Sequence, residues 1–95
     1  METKSLEERR VESIEGFISS APIHVIASCI RDEWKKPYFG AVPYLEAMFS
    51  LTTVDSPYMF ETGRDIIPYF LANATTWRGP MARLIKGELK KRLAK

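Results

Sequence analysis

Apolar side chains return every three or four positions in five separate stretches, and proline or glycine falls in or beside most of the gaps between them. That period is the signature of amphipathic helices that must shelter one face together. Leu6, Val11, Ile14, Phe17 and Ile18 share one arc of a helical wheel, with Glu8, Arg9, Glu12 and Glu15 largely elsewhere, which predicts a helix over 5–19. Ser20-Ala21-Pro22 interrupts it, because a proline ring disfavours helical geometry in the residue before it. Ser20 is the expected cap of a second helix with Pro22 in its first turn and Ile23, Ile26, Ala27, Ile30 and Trp34 on one face. The first two helices are alternatively one long, kinked helix.

Residues 36–42 read as a loop, after which Pro43 opens a third helix whose Leu45, Met48, Phe49 and Thr52 share a face. Asp55-Ser56-Pro57 closes it, and residues 57–60 form either a short helical turn or a packed loop. A fourth helix is expected to start with Asp65 as cap and Pro68 in the first turn. It runs to about Thr75, with Ile67, Phe70, Leu71 and Ala74 inward. Pro80 opens a fifth, whose Met81, Ala82, Ile85, Leu89 and Leu93 make the cleanest stripe. No segment alternates with period two for long enough to make a strand. The expected fold is all-α, a compact bundle of four to five short helices, with residues 1–95 as one domain and a basic C-terminal helix from about residue 80.

Composition limits the chemistry. Ninety-five residues suit a single domain, and 45% hydrophobic with 27% charged residues is globular, not disordered, usage. One Cys excludes an internal disulfide, and one Cys with one His cannot make a His/Cys metal centre. No apolar run spans a bilayer and the charged N-terminus lacks a signal-peptide core, so no membrane partner and a cytoplasmic location are expected. His24 and Cys29 are five residues apart, about 140° around the helix, and cannot share a proton or a metal. The carboxylates are scattered. Asp55, Glu61 and Asp65 are the conceivable cation ligands, yet the EF-hand spacing is absent, so no metal is expected. Five isolated glycines form no phosphate-cradling loop, and no serine carries a nucleophile signature. No catalytic residue and no cofactor are expected; the chain reads as a non-enzyme.

What is left is surface. Of the aromatic residues only Phe17 lies outside the stretch from Trp34 to Trp77. Ile23, Val25, Ile26, Tyr38, Phe39, Tyr44, Tyr58, Met59 and Phe60 are many large apolar groups for so short a chain to hide. Val25 and Cys29 make the second helix apolar around much of its girth, which suits a central helix or an interface. Homodimerisation is the preferred expectation, with Tyr38, Phe39, Tyr44, Tyr58, Met59 and Phe60 as the partner-binding surface for a second copy or another protein. Charge offers the alternative. Residues 78–95 carry Arg78, Arg83, Lys86, Lys90, Lys91, Arg92 and Lys95 against Glu88 alone, although the whole chain is only +2. A nucleic-acid-binding protein would use Arg78, Arg83, Lys86, Lys90 and Lys91 on phosphates and stack a base on Trp77. The bland reading is a solvated cationic helix end favoured by the macrodipole, with Trp77 as a core plug. The fourth helix offers Asp65 and Tyr69 but few basic residues for a groove, so no helix-turn-helix reader stands out. Residues 1–16 hold Lys4, Arg9 and Arg10 against Glu2, Glu7, Glu8, Glu12 and Glu15, so the acidic first helix is a candidate to lie against the basic last one, within one chain or between two.

The run Tyr69-Phe70-Leu71-Ala72-Asn73-Ala74, then Trp77-Arg78-Gly79, Ala82-Arg83, Lys86 and Glu88-Leu89-Lys90, resembles small uncharacterised helical proteins of bacteria and their phages. The resemblance covers mainly the last third of the chain, with Tyr38 to Leu45 as a further segment. It implies a prophage or mobile-element accessory protein and carries no activity, cofactor or catalytic residue. The combined expectation is a non-catalytic interaction or accessory module.

Overall fold

The computed structural model describes residues 5–95; Glu2 and Lys4, part of the acidic end's charge count, lie outside the described residues. Five α-helices carry the fold: α1 (Leu6–Ile18), α2 (Ile23–Glu33), α3 (Val42–Met48), α4 (Gly63–Ala72) and α5 (Pro80–Leu93). A single 3₁₀ turn, Phe39–Ala41, leads into α3. The all-α expectation holds, with one small addition: β1 (Pro57–Tyr58) and β2 (Glu61–Thr62) form an antiparallel hairpin pairing Pro57 with Thr62 and Tyr58 with Glu61. Residues 57–60 are therefore neither a helical turn nor a packed loop, because Met59 takes φ 56°, the left-handed conformation that reverses the chain.

Local chemistry explains most boundaries. Ser5 Oγ accepts the Glu8 backbone N–H at 3.1 Å while the Glu8 carboxylate accepts that of Ser5 at 2.9 Å, a reciprocal cap that starts α1 one residue after its first expected position. Two separate helices follow, not one kinked rod, since Pro22 is extended at ψ 159°. Ser20 does not cap α2. The first N–H groups of α2 instead reach across the fold, Ile23 to the Thr52 carbonyl at 2.9 Å and His24 to that of Leu51 at 2.8 Å. Helix α3 is shorter than its stripe suggested: it ends at Met48, so helical spacing no longer applies at Thr52, which is exposed, and Leu51 drops inward in its place.

The fourth helix begins two residues before Asp65. Thr62 is its cap, and the Asp65 carboxylate accepts the Thr62 N–H at 2.9 Å from the third helical position. Gly63 permits the early start, because a Cβ there would stand 2.8 Å from the Val54 carbonyl oxygen. Pro68 consequently falls inside the helix, on its exposed face, and α4 stops at Ala72 short of Thr75.

The core is continuous. Ile23, Ile26, Ala27 and Ile30 of α2 are fully buried between α3 and α5, and Leu45, Met48, Leu51, Ile67, Phe70, Ile85 and Leu89 close around them. Ile23 and Ile26 are thus interior and not available to a partner, while Val25 and Cys29 are half-buried. The acidic α1 packs against the basic α5 within the same chain, through Ile18 with Val11 and Ile14 beside it. Trp34 leaves helical geometry after α2 and stacks on Trp77, ring centroids 5.5 Å apart and 11° from parallel, with Phe70 edge-on at 6.2 Å. Among the described residues no buried side-chain nitrogen or oxygen lacks a hydrogen-bond partner, and no helix is long and apolar enough to cross a membrane.

Candidate interaction surfaces

Helix α4 orders the aromatic surface. Its buried positions are Ile66, Ile67 and Phe70, so Asp65, Pro68, Tyr69 and Ala72 form the outer face. Tyr69 stacks on Tyr44 of α3 at 5.5 Å and 17°, two half-exposed rings bridging α3 and α4. Beside the C-terminal end of α4 lies the 3₁₀ turn: a Cβ on Gly40 would sit 2.6 Å from the Tyr38 ring and 2.8 Å from Asn73 Oδ1, so any larger residue would displace those side chains. That turn carries Phe39, 78% exposed, against Tyr38 at 4.8 Å. The hairpin enters the other end of α4 and holds Met59, 84% exposed, and Phe60, completely exposed, at its tip. Tyr58 is half-buried at its base. Of the expected partner residues, Tyr38, Phe39, Met59 and Phe60 are exposed, and Tyr44 and Tyr58 are partly used in packing. Tyr69 joins this surface in addition to the expected residues. Its displacement from the Ile67/Phe70/Leu71/Ala74 stripe was the signal that it faces outward.

The basic surface divides in two. Trp77 is 5% exposed and stacked on Trp34, so it is a core residue and offers no face to a base. Lys86 is also partly withdrawn: its ammonium donates to the Ala74 carbonyl at 2.8 Å and the Trp77 carbonyl at 2.6 Å, and lies 5.9 Å from the Trp77 ring centroid. Burial, followed by repulsion from Lys90 and Arg78, holds this ammonium below the ordinary lysine range. Two further cations act in the same way. Arg92 pairs with Glu88 at 2.8 Å and donates to the carbonyls of Ile18 at 2.7 Å and Ala21 at 2.5 Å. Arg64 pairs with Asp55 at 2.7 Å and donates to the carbonyls of Leu93 and Lys95 at 3.0 and 2.8 Å. Each of the three side chains thus donates to carbonyl oxygens at or beyond the end of a helix (α4, α1 and α5 in turn), where the regular i→i−4 backbone donors run out. Arg78, Arg83, Lys90 and Lys91 remain exposed.

Little else converges. His24 is exposed, and Cys29 is half-buried with its thiol pushed up by burial and by the carboxylates of Asp32 and Glu33, which disfavours the thiolate a nucleophile needs. Asp55 is committed to Arg64 and Asp65 to the α4 cap, away from a shared cation site with Glu61. Among the described residues no three His, Cys, Asp or Glu side chains group as a metal would require. No family model, curated protein or solved structure matches the chain.

Proposed function

We propose that this chain is a non-catalytic interaction module that pairs with a second copy of itself through the aromatic face along α4. The observation that carries the reading is the exposure of Phe39, Met59 and Phe60 on a molecule whose core is already filled without them. Large exposed apolar groups gathered on one side of a small protein mark interaction surfaces, and aromatic residues contribute most of the energy there. The two apolar groups stand near opposite ends of α4, a 10-residue helix and therefore about 15 Å long. A standard interface of about 800 Å² per partner is roughly 30 Å across, so both fit in one footprint. A twofold axis near the Tyr44–Tyr69 stack would lay the 3₁₀ turn of one copy on the hairpin of the other, the self-complementary arrangement a closed dimer requires.

Sedimentation equilibrium at micromolar concentration tests this. A dimer that Phe39→Ser with Phe60→Ser converts to monomer is the expected result; a monomer throughout overturns it. The second reading is nucleic-acid binding through Arg78, Arg83, Lys90 and Lys91, favoured by their exposure. It requires oligonucleotide affinity that falls steeply with added salt.

A further inference from the structure

A concavity of about 280 Å³ lies between the C-terminal part of α4 and the outer face of α5, lined by Leu71, Thr75, Arg83, Lys86, Gly87 and Lys90. We propose that this concavity binds a single phosphate group, the terminal phosphate of a small phosphomonoester. The proposal is independent of self-association along α4. Arg83, Lys86 and Lys90 stand at i, i+3 and i+7 on α5, so their side chains rise from neighbouring turns of one face. Lys86 is already fixed by the carbonyls of Ala74 and Trp77, and an ammonium has three donors, so one N–H is left for a ligand. Gly87 leaves the helix bare in the middle of the three cations, and Thr75 adds a hydroxyl. Leu71 supplies an apolar wall for the body of an ester.

Electrostatics points the same way. No carboxylate lines this hollow, whereas the other concavity rich in cations, of about 290 Å³ around Arg64 and Arg92, contains Asp55 and Glu88 as their ion-pair partners. Burial first, and then the like charges of Lys90 and Arg78, disfavour the charged form of Lys86, and a bound dianion would offset that repulsion. The same geometry disfavours a nucleic-acid strand. Arg83 and Gly87 also border a neighbouring hollow that holds Lys91 together with Glu15 and Glu88, so carboxylates interrupt the cations on that side of α5, and Trp77 is unavailable for stacking.

Titration of the full chain with inorganic phosphate, phenyl phosphate and a thymidine 12-mer, followed by amide NMR, tests the site. Expected are saturable shifts at Thr75, Lys86 and Gly87 with a dissociation constant on the order of millimolar for phosphate, tighter for phenyl phosphate. Arg83→Gln and Lys90→Gln should each weaken binding roughly threefold to tenfold. Because Lys86 also holds the chain together, the decisive variant is Gly87→Leu: a Cβ there meets nothing within 4 Å, so the fold tolerates it, and the added isobutyl group is expected to obstruct the hollow that Gly87 borders. Loss of the shifts with an unchanged or raised melting temperature supports the site. Three results overturn it: no saturation by either phosphate, retention of binding in Gly87→Leu, or equal weakening by Arg78→Gln and Lys91→Gln outside the hollow. Binding of the 12-mer alone also overturns it and favours the strand.

Discussion

Two aromatic assemblies lie in the same half of this chain and meet opposite fates. Trp34, Phe70 and Trp77 pack against one another inside, at centroid distances of 5.5 and 6.2 Å, and their neighbours are the fully buried residues of α2 and α5. Tyr38, Phe39, Tyr44 and Tyr69 also pair ring on ring, at 4.8 and 5.5 Å, yet they stand at the surface. Ring contact alone therefore does not make a core. The inner set is backed by helix faces on every side, while the outer set is carried by a 3₁₀ turn and by the solvent flanks of α3 and α4. The inner set answers for stability, and the outer set is free to answer for association.

Substitutions should separate the two. Trp77→Ala removes the stacked partner of Trp34 and is expected to lower unfolding free energy by about 3–5 kcal/mol in urea titration. A loss below about 1 kcal/mol would mean the inner set is not a core after all. Next in size, Lys86→Met keeps the side-chain stem over Trp77 but removes the donors to Ala74 and Trp77, at a loss of about 1–2 kcal/mol by the same titration. Met59→Gly should move the other way. It relieves a left-handed residue and is expected to raise monomer stability by up to about 1 kcal/mol while weakening self-association, read by denaturation and sedimentation on one sample. Smallest in stability are Phe39→Ser and Phe60→Ser, each within about 0.5 kcal/mol of the parent in thermal unfolding. A larger loss would place these rings in the fold and not on its surface.

Much of the helical frame was legible in the residues. The stripes of α2 and α5 are buried at the expected positions, from Ile23 to Trp34 and from Met81 to Leu89, because a 3.6-residue period leaves little choice about which face turns inward. The helix ends were harder. Ser20 offered a suitable cap, but α2 takes the carbonyls of Leu51 and Thr52, partners almost thirty residues away that no local pattern announces. The start of α4 depended on Gly63 approaching Val54, nine residues earlier across the intervening hairpin, a contact that helical periodicity does not report. The hairpin escaped because two-residue strands are too short for period-two alternation to register.

The candidate surfaces show the same division. Composition located the aromatic excess and the cationic last helix. It did not tell Trp77 from Phe39, or Lys86 from Lys90, since each pair shares a chemical class, aromatic or cationic, and differs in what the chain folds over it. Helix count and the buried faces of α2 and α5 follow from sequence because they depend on neighbours three and four positions away, whereas Leu6 and Phe17 of the α1 arc stand exposed. Which ring is covered, which cation caps a carbonyl and which remains exposed were decided by tertiary packing, because burial and hydrogen-bond satisfaction are properties of segments that meet only once the helices have assembled.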